Sequence, residues 1–246
     1  MRGRVAGCAA LLLMLLTACG GGENQEKMPD AKPVPTTKRA AAVGVDGDAD
    51  PRKVFTDAEL KAALLSAKDV GTKAKAYDVT TGPFDPPSGG GDWGSCAPGK
   101  DAREELARMR GSSASHTVRP FPGAVEDKDP FVHVRLVSMP AERAERHIAL
   151  RRQLNDACPR VLVDTDAAPV KEHHTAGRLP GVGDDALVET TRTTGGDEYD
   201  GTPRHKIEVR VGGVLVMVDA GVDKDLGIAT AAKAAAKVQK DLYKVS

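Results

Sequence analysis

Aromatic side chains are scarce in this chain of 246 residues: one Trp, three Tyr and four Phe, 3% of the total. A packed interior must therefore be built from Val, Leu, Ile and Ala, and any aromatic in it stands alone. Charge of either sign is not in excess either, with 35 basic and 35 acidic residues. That balance excludes the clustered basic surface that nucleic-acid binding requires, and it gives no general attraction to anionic head groups. The longest uncharged apolar stretch, Val5 to Ala18, falls short of the ~20 residues that span a bilayer. Motifs for chemistry are missing as well. There is no G-x-S-x-G elbow, no C-x-x-C pair, no acid–base carboxylate pair set apart from the rest and no repeat period, so no catalytic residue, cofactor or metal ligand is assigned.

What the chain does carry is an address. Arg2 and Arg4 precede the apolar stretch, which ends in Leu16-Thr17-Ala18-Cys19. A basic start, an apolar middle and small residues at the cut site make a secretory signal peptide over residues 1–18. The ending resembles a bacterial lipobox. That resemblance implies a diacylglyceryl group on the Cys19 thiol, cleavage before Cys19, palmitate-type acylation and attachment to the outer face of the cell membrane. Val5-Ala6-Gly7-Cys8 fits the same letters, but only three residues separate Cys8 from Arg4, too few to enter a translocon. Two acyl chains on one residue suffice for stable anchoring where one does not. Loss of Arg2 and Arg4 leaves 33 basic and 35 acidic side chains, a net charge of −2, so membrane contact rests on the anchor.

Residues 19–53 open with Gly20-Gly21-Gly22, contain four prolines and have no aromatic residue. Such a tract buries too little to order itself and reads as a tether with a reach of ~30–35 Å. Residues 54–246 hold all eight aromatics and suit one domain. Its two cysteines, Cys96 and Cys158, are expected to form a disulfide in an oxidising compartment. The alternative, a metal site, has no accompanying ligand pattern.

Within the domain, the capping box Thr56-x-x-Glu59 and the helical spacing of Leu60, Ala63, Leu64 and Ala67 predict a helix stopped at Gly71. Strands are predicted over 73–81, 113–121, 131–137, 161–163, 170–179 and 186–194. A turn-rich loop covers 82–99, and polar helices are expected near 101–110 and from 140 to Cys158. In the second of these, Ala144, Ile148 and Leu154 line the inner side while Arg143, Arg146 and Arg151 stay in water. The strongest tertiary signal is a hairpin: Ile207, Val209 and Val211 alternate up to Gly212-Gly213, then Val214, Val216 and Val218 follow. A type I′ turn there pairs 211 with 214, 209 with 216 and 207 with 218, all on one buried face. Leu215 and Met217 point the other way, toward a second, partly covered face. An amphipathic helix from Asp223, with Ile228, Ala231, Ala235, Val238, Leu242 and Val245 in its stripe, is expected across the hairpin. The sum is an α+β fold with a mainly antiparallel sheet.

Three motifs tempt. Gly94-x4-Gly99-Lys100 is followed by Asp101 where a phosphate-binding loop needs Ser or Thr. His173-His174 on a strand face opposite ways, and the other four histidines are isolated; all read as surface or satisfied groups. Gly181-Val182-Gly183-Asp184-Asp185 lacks the ligand period of a calcium loop and reads as a turn.

The order of these elements resembles the actinobacterial sensor-domain lipoproteins, which are similar to the extracellular domain of PknH-type serine/threonine kinases. The resemblance rests on 64-LLSAKDV-70, the helix ending Cys158-Pro159, 179-LPGVGDDA-186 and the hairpin 210-RVGGVLV-216 with its Ala-rich helix. It implies an extracytoplasmic α+β domain with a cleft and a ligand- or signal-binding role, and it brings no catalytic residues. The chain departs from the kinase pattern in having one disulfide where that domain has two, and no kinase. The reading is a non-catalytic, lipid-anchored binding or sensing module whose partners are the membrane and an envelope protein or small ligand. The alternatives are a lipid or glycolipid carrier and an envelope hydrolase.

Overall fold

Eight strands form one antiparallel sheet because the alternating segments each find an antiparallel neighbour. The computed structural model describes residues 42–86, 93–94, 96–120, 131–164, 169–195 and 201–245. The signal, Cys19 and residues up to 41 lie outside the described residues. The strands are β1 (Ala42–Val43), β2 (Lys75–Phe84), β3 (Gly111–Arg119), β4 (Val132–Ser138), β5 (Arg160–Val163), β6 (Val170–Arg178), β7 (Val182–Gly183), β8 (Asp185–Thr194), β9 (Pro203–Val211) and β10 (Val214–Asp219). The sheet order is β2-β3-β4-β10-β9-β8-β6-β5, and β1 pairs in parallel with β7 as a separate two-stranded piece. The helices are α1 (Asp57–Ala63), α2 (Ala67–Val70), α3 (Lys100–Ala107), α4 (Ala141–Ala157) and α5 (Lys224–Val238). The α+β class expected from the sequence is the one observed.

The hairpin sits at the centre in the predicted register: Val214 opposite Val211, Val216 opposite Val209, Val218 opposite Ile207. All six side chains are buried. The turn differs from the expectation. Only Gly212 takes a positive φ, +54°, which fits the first position of a type II′ turn, whereas type I′ needs two. Gly213 is required for closeness instead, since a Cβ there would strike the Met139 carbonyl oxygen.

One sheet face is closed by α5 and α1. Ile228, Ala231, Ala235 and Val238 of α5 bury against the hairpin valines and Leu136, and Gly227 is where the helix touches Ile207 and Ala220. Asp223 caps α5 through the Leu226 N–H, 2.9 Å. The capping box at Thr56 forms as expected, with Glu59 closing on the Thr56 N–H at 2.8 Å. The predicted single helix over 56–71 is however two. Leu64 turns extended, ψ 146°, and Ser66 opens α2 with Asp69 as its own reciprocal cap. A second start signal inside the apolar stripe ends the first helix.

The tether boundary is also revised. Val45 is fully buried in the main core, and Asp46 pairs bidentately with Arg210, 2.8 and 2.5 Å. Residues 42–53 are thus part of the domain. Composition could not show this, because Val45, the β1–β7 pairing and the bonds of Asp46 to Arg210 and Asp184 all join the segment to residues far along the chain.

Candidate functional site

The second sheet face carries α3 and α4 and is not uniformly apolar. Registers give its rows directly. One row reads Ser115, Arg135, Met217, Glu208 and Leu187; the next reads Thr117, His133, Asp219, Lys206 and Glu189. A third, nearer the start of α4, contains Val137 and Leu215. These pack with Ala144 and Ile148 of α4 and with Phe84 and Met139. The floor therefore changes from apolar to charged along the strands.

Helix α4 brings its own charges to this floor. Ala144 and Ile148 face inward, and His147 and Arg151, three residues after each, share that face. The His147 Nε2 lies 3.0 Å from Glu208 Oε2, with both side chains 5% exposed or less. Arg151 pairs with Glu189 through Nε at 3.0 Å and through its terminal nitrogen, and it lies 3.8 Å from Glu208. Asn155 donates to Glu189 at 2.7 Å. Burial pushes the Glu208 carboxyl up, but His147, Arg151 and Lys206 together outweigh it and hold the carboxyl well below the usual carboxylate range. Arg151 is thus 16% exposed and engaged, not in water as its place in a charged helix suggested.

The wall opposite α4 is held by the disulfide. Cys96 and Cys158 are joined, with Cα atoms 6.1 Å apart, as the cysteine count anticipated. The bridge ties the Trp93 segment and α3 to the end of α4. Trp93, Leu106, Met109, Leu150 and Leu154 pack around it. Trp93 is 2% exposed, stacks on His174 at 4.1 Å and lies under the Arg151 guanidinium at 5.5 Å. Gly99, one of the glycines that mimicked a phosphate loop, is there for packing: a Cβ would lie 2.6 Å from Cys158 Sγ.

Between these walls lies a cleft of about 270 Å³. Phe84, Trp93, Leu106, Leu154 and Met217 make its apolar sides. Arg103, His133, Arg135, Lys206, Glu208 and Asp219 make its polar lining, with His147 and Arg151. Burial first, then the neighbouring Arg135, hold His133 below its ordinary pKa, against Asp219. Among the described residues the cleft is lined by no serine, threonine or cysteine, and no three metal-ligating side chains converge. No described helix is long and apolar enough to cross a membrane.

The remaining histidines and glycines fall elsewhere. His173 reaches Thr194 at 3.2 Å on the sheet face opposite His174. The loop at 181–185 locks the N-terminal strap. Asp184 accepts from the Asp46 N–H at 2.8 Å and the Gly212 N–H at 2.6 Å, and Asp185 pairs bidentately with Arg152 at 2.5 and 2.6 Å. Those carboxylates are taken, so the calcium reading gains nothing. Sequence reasoning missed the His147–Glu208–Arg151–Glu189 cluster. Only part of its signal lay in the chain: His147 and Arg151 share the Ala144–Ile148 face, and Glu208 shares the strand face of Leu215 and Met217, but nothing local shows that these two faces meet.

No protein-family model and no curated protein matches the chain. Among solved structures it is similar to the extracellular domain of PknH from Mycobacterium tuberculosis. That likeness covers 79% of this chain and all of the other, at 14% identity and a TM-score of 0.49, a level that assigns neither family nor function to this chain.

Proposed function

We propose that this protein is a binding or sensing module, held by a diacylglyceryl group on Cys19 at the extracytoplasmic face of the cell membrane, with its ligand seated in the cleft between α3, α4 and the sheet. The observation that carries the reading is the cleft itself: apolar walls over a floor of fixed, mostly paired charges, the composition of a small-molecule site. The lipobox-like ending at Cys19 supports the anchor, and the polar stretch before residue 42 supports a tether. No catalytic role is part of this proposal: His147 and Glu208 are buried against one another and fix the charged floor. The size of the cleft argues against a carrier of whole lipids, since about 270 Å³ lies just below the ~300–1,000 Å³ common for ligand sites.

Two measurements test this. Mass spectrometry of native protein from membranes is expected to find residue 19 as an acylated amino terminus; an unacylated terminus sinks the anchor. The same preparation under native conditions is expected to retain a small co-purifying molecule, lost when Leu106 is replaced by Trp to fill the cleft. A molecule retained in Leu106→Trp places the ligand elsewhere.

A further inference from the structure

The charges of the cleft are not all matched, and the mismatch points to a ligand class. Of its lining residues, four carry guanidinium or ammonium groups and two carry carboxylates. The sheet register shows where the surplus lies. Glu208 is engaged by His147 and Arg151. Asp219 stands directly across from Lys206 and, on its other side, from His133, while one oxygen accepts the Gly221 N–H at 3.1 Å. Arg135 differs. Its cross-strand neighbours are Ser115 and Met217, neither of them a counter-ion. Asp219 lies only on the diagonal, where Cβ atoms are ~7–8 Å apart. Among the described residues the Arg135 guanidinium has no carboxylate partner and no hydrogen bond, and its near titratable neighbour is His133, whose pKa burial and Arg135 lower.

The walls beside this guanidinium, made by Phe84, Leu106, Leu154 and Met217, are apolar. An unpaired guanidinium beside apolar walls is complementary to a small acceptor-rich anion with an apolar body. A guanidinium fork matches a carboxylate or a phosphate equally well in geometry. Resting on the reading of the cleft as the ligand site, we infer that it takes an anionic amphiphile, a carboxylate or phosphate monoester carrying a short acyl or aryl group, with Arg135 as its counter-ion.

Trp93 is the only tryptophan, so its emission reports this wall of the cleft alone. The full chain carrying Cys19→Ser, which removes the anchor site, is titrated with octanoate, octyl phosphate and octanol. The two anions are expected to change Trp93 emission saturably and to bind at least tenfold more tightly than octanol. Which anion wins separates carboxylate from phosphate ligands. Arg135→Gln is expected to weaken the anions roughly 10- to 100-fold, the range for a hydrogen bond to a charged group, while leaving octanol unchanged. Because Arg135 holds no partner among the described residues, the variant is expected to keep the parent's melting temperature, and Arg135→Lys to recover part of the affinity. Octanol binding as tightly as octanoate, or Arg135→Gln binding octanoate like the parent, overturns the anion assignment and leaves the cleft as a ligand site. Trp93 emission unmoved by all three overturns both.

Discussion

The two faces of the sheet are made by the same strands and differ in what covers them. Under α5 the side chains of β9 and β10 are Ile207, Val209, Val211, Val214, Val216 and Val218, all 1% exposed or less. Under α4 the alternate residues of those strands are Lys206, Glu208, Arg210, Leu215, Met217 and Asp219. The first face needs nothing but shape, since each buried aliphatic side chain contributes about 1.5–3 kcal/mol. The second must satisfy charges one by one, and where the partners stop it opens into a cleft. The lesson is that one face serves folding and the other has been left polar at some cost in stability, because a buried ion pair rarely surpasses an apolar replacement.

That contrast can be broken most strongly at Glu208. Replacing Glu208 by Gln leaves His147 and Arg151 with a lost counter-charge and is expected to cost about 3–5 kcal/mol in denaturant unfolding. The double change His147→Leu with Glu208→Leu is expected to recover most of it. If the double is as unstable as the single, the pair stabilises the fold outright and the contrast is misjudged.

Next in size is the disulfide that holds the cleft wall. Its ends are 62 residues apart, for which loop entropy gives about 4 kcal/mol as an upper figure. Cys96→Ser with Cys158→Ser is expected to lower stability by about 2–4 kcal/mol and to red-shift Trp93 emission, while circular dichroism of the hairpin and α5 is retained. A melting temperature unchanged on reduction contradicts this.

On the closed face, Ile207→Val removes one buried methylene at a fully covered site and is expected to cost about 0.5–1.5 kcal/mol. Trp93 emission of the native state is expected to stay put, since the Ile207 side chain packs with the α5 residues in the main core rather than against Trp93. A shifted emission would show the two faces to be coupled.

Smaller still is the strap. Asp46 is half exposed, so Asp46→Ala is expected to cost about 0.2–1 kcal/mol, read as faster proteolysis before residue 54. Equal protection of the variant counts against the strap as part of the domain.

The gentlest probe is pH. Burial lowers the pKa of His116, and burial followed by nearby cations lowers those of His133 and His205, from 6.5. A lowered folded value means the unfolded chain binds protons first. Stability from these groups is therefore complete above pH 6.5 and is lost as pH falls through their folded values. Glu208, Asp185 and Asp69 have depressed carboxyl values, so their contributions are whole above about 4.5 and fade only below it. Melting temperature is expected to drop between pH 6.5 and 5, less so in His116→Asn. A flat profile over that window contradicts the buried, neutral histidines.

Much of the closed face was legible in the chain. Period-2 alternation of valines about Gly212-Gly213 fixed the register of β9 and β10, because a slip of one residue turns every valine to the wrong side. The stripe of α5 and the capping box at Thr56 were equally local. The charged face was not legible, because Glu208, between Ile207 and Val209, reads as solvent-facing unless a helix is known to cover it. The strap at 42–46 escaped for the same reason: its hold lies in Asp184 and Arg210, far along the chain.

Local pattern settled the α+β class, the central hairpin register, the disulfide partners and the starts of α1 and α5, since each follows from periodicity, counting or capping within a few residues. Only the packing of distant segments shows that α4 lays His147 and Arg151 onto Glu208 and Glu189, that Arg135 has no counter-ion among the described residues, and that these surround a cleft. Pairing of charges across a sheet and a helix depends on strand order and on which face is covered, and no local pattern encodes either.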